Sequence, residues 1–380
     1  MPSLYIHIPF CEKKCLYCDF YSIESLSQVE QFLSSLHREI DLNGFYSNGV
    51  TFETIFFGGG TPSLLQPDQI NSILSHLRAV YEIRPDAEIT VETNPGTVTR
   101  EKLRAFRSLG VNRLSIGIQS FHDDELKFLS RIHDKDEALR CIKYARAAGF
   151  DNLNIDLMFS LPGQSLARWE SNLVQAVALD TEHISAYSLI VEDNTPLARM
   201  VASKQVSPNP VDTEATMYEF TMEFLGGRGF EHYEVSNYAR RGFRSRHNYN
   251  YWNHENYLSF GPSAHSFWRQ SGARFGERWW NIANISHYCE RLLHNKLPLV
   301  SREFVQTREL MNERVFLGLR SDGLNMTRFE EEFGVALTSS HGATIRQLVD
   351  ERYAEIDDNR LRLTRKGFLL CDEISARLLP

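Results

Sequence analysis

The chain has 380 residues, of which 42% are hydrophobic and 24% charged, and its net charge is −8. This length can bury one large core with one or two smaller units. The acidic balance argues against broad binding of nucleic acid. No apolar run approaches the roughly 20 residues of a membrane helix, and no signal peptide is apparent. We therefore expect a cytoplasmic protein with at most peripheral membrane contact.

In the first half of the chain, short apolar segments alternate with amphipathic helical patterns. Strands separated by helices form parallel β/α units. Six units predict an α/β fold, a partial (β/α)6 barrel that stays open, with ligand-binding residues at the carboxyl ends of its strands. The predicted strands are 4–8, 54–57, 89–92, 113–117, 153–157 and 183–189.

The composition changes after the predicted barrel. Residues 236–306 are rich in aromatic side chains and contain four of the five tryptophans. From residue 307, apolar residues recur at helical spacing, and a short strand follows at 361–364. This pattern predicts a C-terminal helical, winged-helix-like module. The sequence thus divides into 1–235, 236–306 and 307–380.

Three cysteines, Cys11, Cys15 and Cys18, follow the first predicted strand with the spacing C-x3-C-x2-C. Three thiolates on one loop can hold three irons of a [4Fe–4S] cluster, whereas full cysteine ligation takes four. The fourth iron is then open to a small molecule. The alternatives are incidental cysteines or part of a zinc site, but zinc usually takes four ligands in paired C-x2-C form. The remaining cysteines are single and are expected to be buried.

A glycine loop, Gly58-Gly59-Gly60-Thr61-Pro62, follows the second predicted strand. Glycine lets a backbone approach a ligand closely. A triple glycine alone is compatible with a plain turn. Its position after the cysteine motif and at a strand end favours a binding loop.

The cysteine motif after a short apolar strand resembles the radical S-adenosylmethionine (SAM) superfamily. The resemblance implies that SAM chelates the open iron through its amino and carboxylate groups. In catalytic members, an electron from the cluster cleaves SAM to a 5′-deoxyadenosyl radical. Many members have Gly-Gly-Glu in the glycine loop, where this chain has Thr61 in place of the glutamate.

Nearly the whole chain resembles one group of that superfamily, which contains oxygen-independent coproporphyrinogen III dehydrogenase and the HemW-type heme chaperones. Carboxylates can hold ribose hydroxyls, and arginine can pair with the SAM carboxylate. Each such residue alone is more often a structural polar group, but their positions at successive strand ends strengthen the case. The SAM contacts implied by the resemblance are Tyr5, Tyr17, Gly59, Gly60, Thr61, Glu92, Gln119, Arg131 and Asp156.

Two functions compete within this group. The resemblance implies either oxidative decarboxylation of coproporphyrinogen III or the binding of heme and its delivery to respiratory hemoproteins. The dehydrogenase pattern has a further cysteine where this chain has Phe20, whereas 247–252 (HNYNYW) match the H-N-x-x-Y-W signature of the chaperones. The chaperone is therefore favoured, with the dehydrogenase as the alternative. If SAM is cleaved, an electron donor such as a flavodoxin or ferredoxin is implied.

His247 is a candidate contact for heme, because neutral imidazole is a natural axial ligand of heme iron. The alternative is a histidine satisfied by local hydrogen bonds. Four arginines precede it, namely Arg240, Arg241, Arg244 and Arg246. Guanidinium groups pair well with carboxylates, so these arginines are candidates to bind the heme propionates. The other interpretation is a solvated basic loop or a docking surface for an anionic partner. A third possible function, a radical SAM enzyme acting on RNA or protein, is compatible with the C-terminal module but disfavoured by the acidic balance.

Overall fold

A computed structural model describes residues 2–379, and its main feature is one large mixed sheet. Six parallel strands form its centre in chain order, which confirms the partial (β/α)6 barrel. The six predicted strands are all present, most of them longer than expected. They are β1 (Ser3–Ile8), β2 (Thr51–Gly59), β3 (Glu82–Thr93), β4 (Arg113–Gln119), β5 (Leu153–Phe159) and β6 (His183–Ser188).

Helices cover one side of this sheet and bury its apolar side chains. On β1, Leu4, Ile6 and Ile8 are fully buried and share a core with Phe32 and Leu36 of the first helix. The helices of this half are α1 (Val29–Leu42), α2 (Pro67–Val80), α3 (Arg100–Ser108), α4 (Asp123–Phe128), α5 (Lys135–Ala147), α6 (Leu166–Ala178), α7 (Pro196–Ala202) and α8 (Val211–Gly226), with 3₁₀ turns at Gly44–Ser47, Pro62–Leu64 and Pro95–Thr97.

The aromatic-rich segment extends the same sheet at its edge beside β1. There, β9 pairs in parallel with β1, and β10, β11 and β12 follow as antiparallel strands. Two short strands, β7 and β8, extend the opposite edge beyond β6. These elements are β7 (Glu231–Glu234), β8 (Asn237–Ala239), α9 (Arg246–Trp252), β9 (Tyr257–Phe260), β10 (His265–Trp268), β11 (Gly276–Asn281), α10 (Ile285–Leu293) and β12 (Leu299–Val305).

The C-terminal module has its own three-stranded sheet and its own apolar core. Its wing pairs β14 with β15, as the pattern at 361–364 predicted. We propose the boundary near residue 306 because this core is separate. The elements are α11 (Thr307–Leu319), β13 (Leu324–Asn325), α12 (Met326–Phe333), α13 (Leu337–Asp350), β14 (Ala354–Asp357), β15 (Arg360–Leu363), α14 (Arg365–Phe368) and α15 (Cys371–Arg377).

The side of the sheet opposite the helices is lined with polar side chains, and we call it the inner face. Because successive strand residues point to opposite faces, the strands that bury Leu4 and Ile6 turn Tyr5 and His7 inward. The inner face is made of Ser3, Tyr5 and His7 on β1, Thr54, Phe56 and Gly58 on β2, Glu88, Thr90 and Glu92 on β3, Arg113, Ser115 and Gly117 on β4, Asn154 and Asp156 on β5, and His183, Ser185 and Tyr187 on β6. No helix within 2–379 is long and apolar enough to cross a bilayer.

A buried carboxylate joins the barrel to the edge extension. Glu39 of α1 is only 2% exposed and accepts hydrogen bonds from the Gly261 N–H at 2.8 Å and the Tyr288 hydroxyl at 2.6 Å. The amide of Asn281 also donates to it. Burial raises the pKa of Glu39 to about 7. One side chain on the first helix therefore fixes the positions of β9, β11 and α10.

We expect Glu39→Ala to lower the free energy of unfolding by about 3 kcal/mol, because three buried donors lose their acceptor. Glu30→Ala, on the exposed side of the same helix, should change it by less than about 0.5 kcal/mol. Urea unfolding of both variants measures the difference. Equal effects of the two substitutions would show that the Glu39 contacts contribute nothing specific.

Candidate functional site

The cysteine loop is fixed at both ends by backbone hydrogen bonds. The Cys11 N–H donates to the Ile23 carbonyl at 2.9 Å, and the Ile23 N–H donates to the Pro9 carbonyl at 2.8 Å. A turn closes between Cys15 and Cys18, with an N–H to carbonyl distance of 3.2 Å. The three cysteines therefore lie on one short loop at the carboxyl end of β1, and none is in a disulfide.

Two side chains from other segments, one after β2 and one after α4, donate to the cysteine sulfurs. The Thr61 hydroxyl lies 3.6 Å from Cys11 Sγ, and Arg131 Nη1 lies 3.4 Å from Cys15 Sγ. Burial raises the pKa of the Cys18 thiol to about 11. The thiolate form of Cys18 is therefore unfavourable until positive charge stands beside it.

The donor set fits a metal cluster whose ligands are thiolates. Three cysteines lie on one short loop, outside any disulfide, and side-chain donors lie beside two of their sulfurs. Cysteine thiolates are the usual ligands of iron–sulfur clusters, and full cysteine ligation of a [4Fe–4S] cluster takes four. Three cysteines would therefore leave one iron open to another ligand.

The glycine loop packs directly against the cysteine loop. The Gly60 N–H donates to the Ile8 carbonyl at 2.8 Å, and the Thr61 N–H donates to the Phe10 carbonyl at 2.7 Å. A Cβ atom on Gly60 would lie 2.6 Å from the Phe10 oxygen, and Gly59 has a φ of +106°. Only glycine fits these two positions, and the close approach brings the end of β2 beside the cysteines.

Two carboxylates of the inner face lie below this loop. Glu92 accepts from the Gly59 N–H at 3.1 Å, and burial, together with the negative charge of Asp156, raises the pKa of Glu92 to about 8. Burial also raises the pKa of Asp156, whose carboxylate accepts from Asn154 at 2.7 Å. Two desolvated carboxyl groups side by side favour binding of a cationic or hydroxyl-rich ligand.

The ends of β4 and the following segment supply further polar atoms. Arg131 Nη2 donates to the Gly117 carbonyl at 2.8 Å, while its Nε and the Oε1 of Gln119 are buried without a hydrogen-bond partner. Gln119 has a left-handed φ of 69°. Arg131 also lies beside the hydroxyl of Tyr17. Buried unpaired polar atoms are costly, so these side chains fit a polar ligand such as SAM.

The structure thus brings together the three cysteines and eight of the nine residues predicted to contact SAM. The remaining contact, Tyr5, lies on the inner face with its hydroxyl 3.4 Å from His7 Nδ1. Its ring is 6.1 Å from that of Phe56 and 6.3 Å from that of His247. Tyr5 therefore stands between the strand-end site and the predicted heme residue.

His247 is buried near the amino ends of the strands, away from the cysteines and the predicted SAM contacts at their carboxyl ends. It is 1% exposed, and its Nδ1 lies 2.7 Å from the Thr54 hydroxyl. Its Nε2 lies 3.2 Å from the Tyr251 hydroxyl, and its ring stacks on Phe56 with centroids 4.8 Å apart. Both ring nitrogens are engaged, so heme contact by His247 stays a prediction that requires one of these bonds to break.

Helix α9, which carries His247, is held from inside the barrel. The Glu88 carboxylate accepts from the backbone N–H groups of Arg246 and His247, each at 3.1 Å. The Asn250 amide donates to the Ser3 hydroxyl at 2.8 Å. The H-N-x-x-Y-W motif therefore closes the inner face at the end opposite the cysteines.

Three of the four arginines before His247 contact protein groups. Arg244 pairs with Glu231 and Asp322, each at 3.3 Å. Arg246 donates to the Asp86 carbonyl at 2.8 Å, and Arg240 donates to the Arg228 carbonyl. Their predicted contact with propionates would have to replace these bonds.

Sequence reasoning missed several inner-face residues. Arg113 is 1% exposed and lowers the pKa of His247, after burial, by its charge. His183 bridges the Asn154 amide oxygen at 2.6 Å and the Tyr233 hydroxyl at 2.7 Å. The sequence contained a signal for both, because each lies at an inward-facing position of a predicted strand.

Comparison with known proteins agrees with this geometry. Residues 5–173 match the family model for the radical SAM superfamily, and residues 305–370 match that for the HemN C-terminal domain. The fold is similar to that of a solved structure, coproporphyrinogen III oxidase (HemN) from Escherichia coli, with a TM-score of 0.83 and 22% identity over 100% of this chain and 90% of that one. The fold and site are those of a radical SAM protein.

Curated relatives define the family more narrowly. "Heme chaperone HemW" of Bacillus subtilis is 37% identical over 100% of this chain and 99% of its own length. The protein of the same name from Lactococcus lactis is 33% identical over 99% and 97% of the two chains, and that from Escherichia coli is 41% identical over 69% of each. The chain belongs to the HemW family of the radical SAM superfamily.

The buried His247 predicts a measurable pH dependence. Burial, with the charge of Arg113, lowers the pKa of His247 to about 3, against an ordinary value of about 6.5. In acid the unfolded chain takes up this proton first, so stability falls as pH drops below about 6.5, by up to about 1.4 kcal/mol per pH unit for this group.

We expect His247→Gln to flatten this slope by up to one proton, measured by urea unfolding of the cluster-free chain between about pH 6 and about pH 5. His287→Gln, at an exposed position, is the matched control for replacing an imidazole by an amide. An unaltered slope in His247→Gln would mean that the His247 imidazole already titrates in the folded chain.

Proposed function

We propose that this chain is a heme chaperone, which binds heme and delivers it to respiratory hemoproteins. The observation that carries the proposal is its similarity, over nearly its whole length, to relatives named heme chaperone HemW. Phe20, which takes the place of the additional cysteine in the dehydrogenase pattern, supports it. This side chain is 62% exposed beside the cysteine loop.

In this proposal Cys11, Cys15 and Cys18 hold a [4Fe–4S] cluster with one open iron. When bound, the cluster and SAM supply one-electron chemistry at that iron. Thr61 and Arg131 donate to two of the sulfurs, and such hydrogen bonds raise the reduction potential of a cluster by stabilising its more negative state. The site therefore suits a cluster that accepts an electron.

The side chains around the cysteines have distinct roles toward SAM. Glu92, with Gly59 and Gly60, offers oxygen acceptors for the amino group, and Arg131 offers a guanidinium for the carboxylate. Asp156 and Gln119 present oxygens suited to the ribose hydroxyls, while Tyr5, Tyr17 and Thr61 line the space. A cationic ligand beside Glu92 would return the pKa of this carboxyl toward its ordinary range.

The proposed setting is the cytoplasm, with at most peripheral membrane contact. Six cysteines without a disulfide suit a reducing compartment. If SAM is cleaved, the electron comes from a small donor such as a flavodoxin or ferredoxin. No nucleic-acid partner is proposed.

The second candidate is coproporphyrinogen III dehydrogenase. The fold of this chain is also that of HemN of Escherichia coli, but a shared fold does not by itself give a shared activity. Against it stand Phe20 and the names of the more similar relatives. One set of assays separates the two functions.

The cluster assignment is tested by removing one ligand. Cys15→Ser should lose nearly all cluster absorbance and iron after anaerobic reconstitution, because two thiolates leave two irons without a cysteine. Cys289→Ser, a buried cysteine of α10, should retain both. Full iron content in Cys15→Ser would remove it from the ligand set.

The function is tested on the reconstituted chain with SAM and reductant under anaerobic conditions. We expect stable heme uptake and transfer of heme to an apo-hemoprotein, with no decarboxylated porphyrin from coproporphyrinogen III. Heme is followed by its spectrum and porphyrins by chromatography. Formation of protoporphyrinogen that stops in Cys15→Ser would instead establish the dehydrogenase.

A further inference from the structure

The edge extension continues the inner face beyond β1. In β10 and β11, Trp268 and Trp279 pack with Tyr46 on the helix-covered side, with ring centroids 4.8 and 5.5 Å from it. Strand residues alternate between faces, so His265 and Trp280 lie on the inner side. Phe267 confirms this direction, because its ring is 6.2 Å from that of Tyr257, opposite it on β9.

His265 and Trp280 lie at the same end of the sheet as the cysteine loop. β9 runs parallel to β1, β10 antiparallel to β9, and β11 antiparallel to β10. The first residue of β10 is therefore at the carboxyl end of β1, where Cys11 follows. His7 of β1 links the two, since its Nε2 lies 2.8 Å from the Tyr21 carbonyl of the cysteine loop. Burial lowers the pKa of His7, and the nearby His265 contributes to this shift.

His265 differs from the other inner-face histidines in its exposure and in the hydrogen bonding of its ring nitrogens. His7, His183 and His247 are at most 4% exposed and have hydrogen bonds to both ring nitrogens. His265 is exposed, and no hydrogen bond to its imidazole is found in the described part of the chain. Its ring nitrogens are therefore available to an external ligand.

The orientation of His265 is nevertheless fixed. Its ring stacks on that of Trp280, directly opposite it in the β10–β11 register, with centroids 5.8 Å apart and planes 15° from parallel. Partial burial of its ring, followed by the charge of Arg278, lowers the pKa of His265. A neutral, oriented imidazole with a free edge has the properties of an axial ligand to iron.

We propose that His265 is a protein ligand of the heme iron, in a site on the inner face between the cysteine loop and β11. The proposal rests on the heme-binding function proposed above and assigns its site. Aromatic surface for the macrocycle is at hand, because Trp280 is half-buried beside His265 and Phe20 is 62% exposed on the cysteine loop. Heme bound there would lie near the cluster and SAM. The His247 region, by contrast, lies at the other end of the strands.

The test is anaerobic titration of heme into the reconstituted full-length chain, followed by optical and electron paramagnetic resonance spectra. We expect His265→Ala to weaken heme binding by more than about tenfold, since even the loss of an outer-shell partner costs a metal site 10–100-fold. The spectral signature of imidazole ligation should disappear. Added imidazole should restore that signature, which a structural role of His265 would not allow.

His287→Ala provides the matched control, because it removes another exposed histidine from the adjacent α10. It should bind heme as the wild type does. Unchanged affinity and spectrum in His265→Ala, with loss of both in His247→Ala, would overturn the assignment of the site and leave the chaperone function intact. Absence of heme uptake by the wild type would overturn the function itself.

Discussion

The arrangement of the inner face is constrained by the free-energy cost of burying ionisable groups inside a barrel. Alternation along the central strands puts apolar side chains under the helices and turns Glu92, Asp156 and Arg113 inward. An isolated buried charge is expensive, so these groups must be paired, neutralised or held for a ligand. Burial raises the pKa of both carboxyls, since their hydrogen bonds within the chain do not compensate for the lost hydration. Glu92 and Asp156 are therefore available to bind polar and charged groups of SAM.

This constraint also explains the position of the H-N-x-x-Y-W motif. Helix α9 packs against the amino ends of the strands. Its first backbone N–H groups donate to the Glu88 carboxylate, and the His247 imidazole is hydrogen-bonded to the Thr54 hydroxyl. The His247 ring stacks on Phe56, which stacks in turn on Tyr5. The motif therefore packs against Phe56 and, through it, holds Tyr5 in position beside the SAM site. A substitution at His247 should disturb this packing, so a loss of heme affinity in such a variant would not by itself identify His247 as a ligand.

Much of the barrel was predictable because its signals are local. Periodicity located all six strands, and the spacing of Cys11, Cys15 and Cys18 predicted cluster ligands from one short stretch of sequence. The environment of His247 was not predictable, since it depends on Thr54 and Glu88, far away in the chain. The same holds for Arg244, whose partner Asp322 lies 78 residues on. Of the short strands at the β1 edge, β10 and β11 contain tryptophan, and Trp279 and Trp280 of β11 point to opposite faces. The composition therefore predicted an aromatic segment and no sheet.

A chaperone and a tetrapyrrole enzyme can share this scaffold because both need a flat macrocycle near the carboxyl ends of the strands. The difference lies in what surrounds the cysteine loop. Here the loop presents Phe20, and the neighbouring edge presents His265 against Trp280. An imidazole that binds iron is useful to a heme carrier and has no role toward a metal-free porphyrinogen. The edge extension is therefore where the two functions should diverge.

The most direct test of the central claim is Mössbauer spectroscopy of the chain reconstituted with ⁵⁷Fe, with and without SAM. If Cys11, Cys15 and Cys18 hold a [4Fe–4S] cluster whose fourth iron faces Glu92 and Arg131, addition of SAM should change one iron of the four and leave three unaltered. Four irons that do not respond to SAM, or a cluster with fewer irons, would contradict the site described.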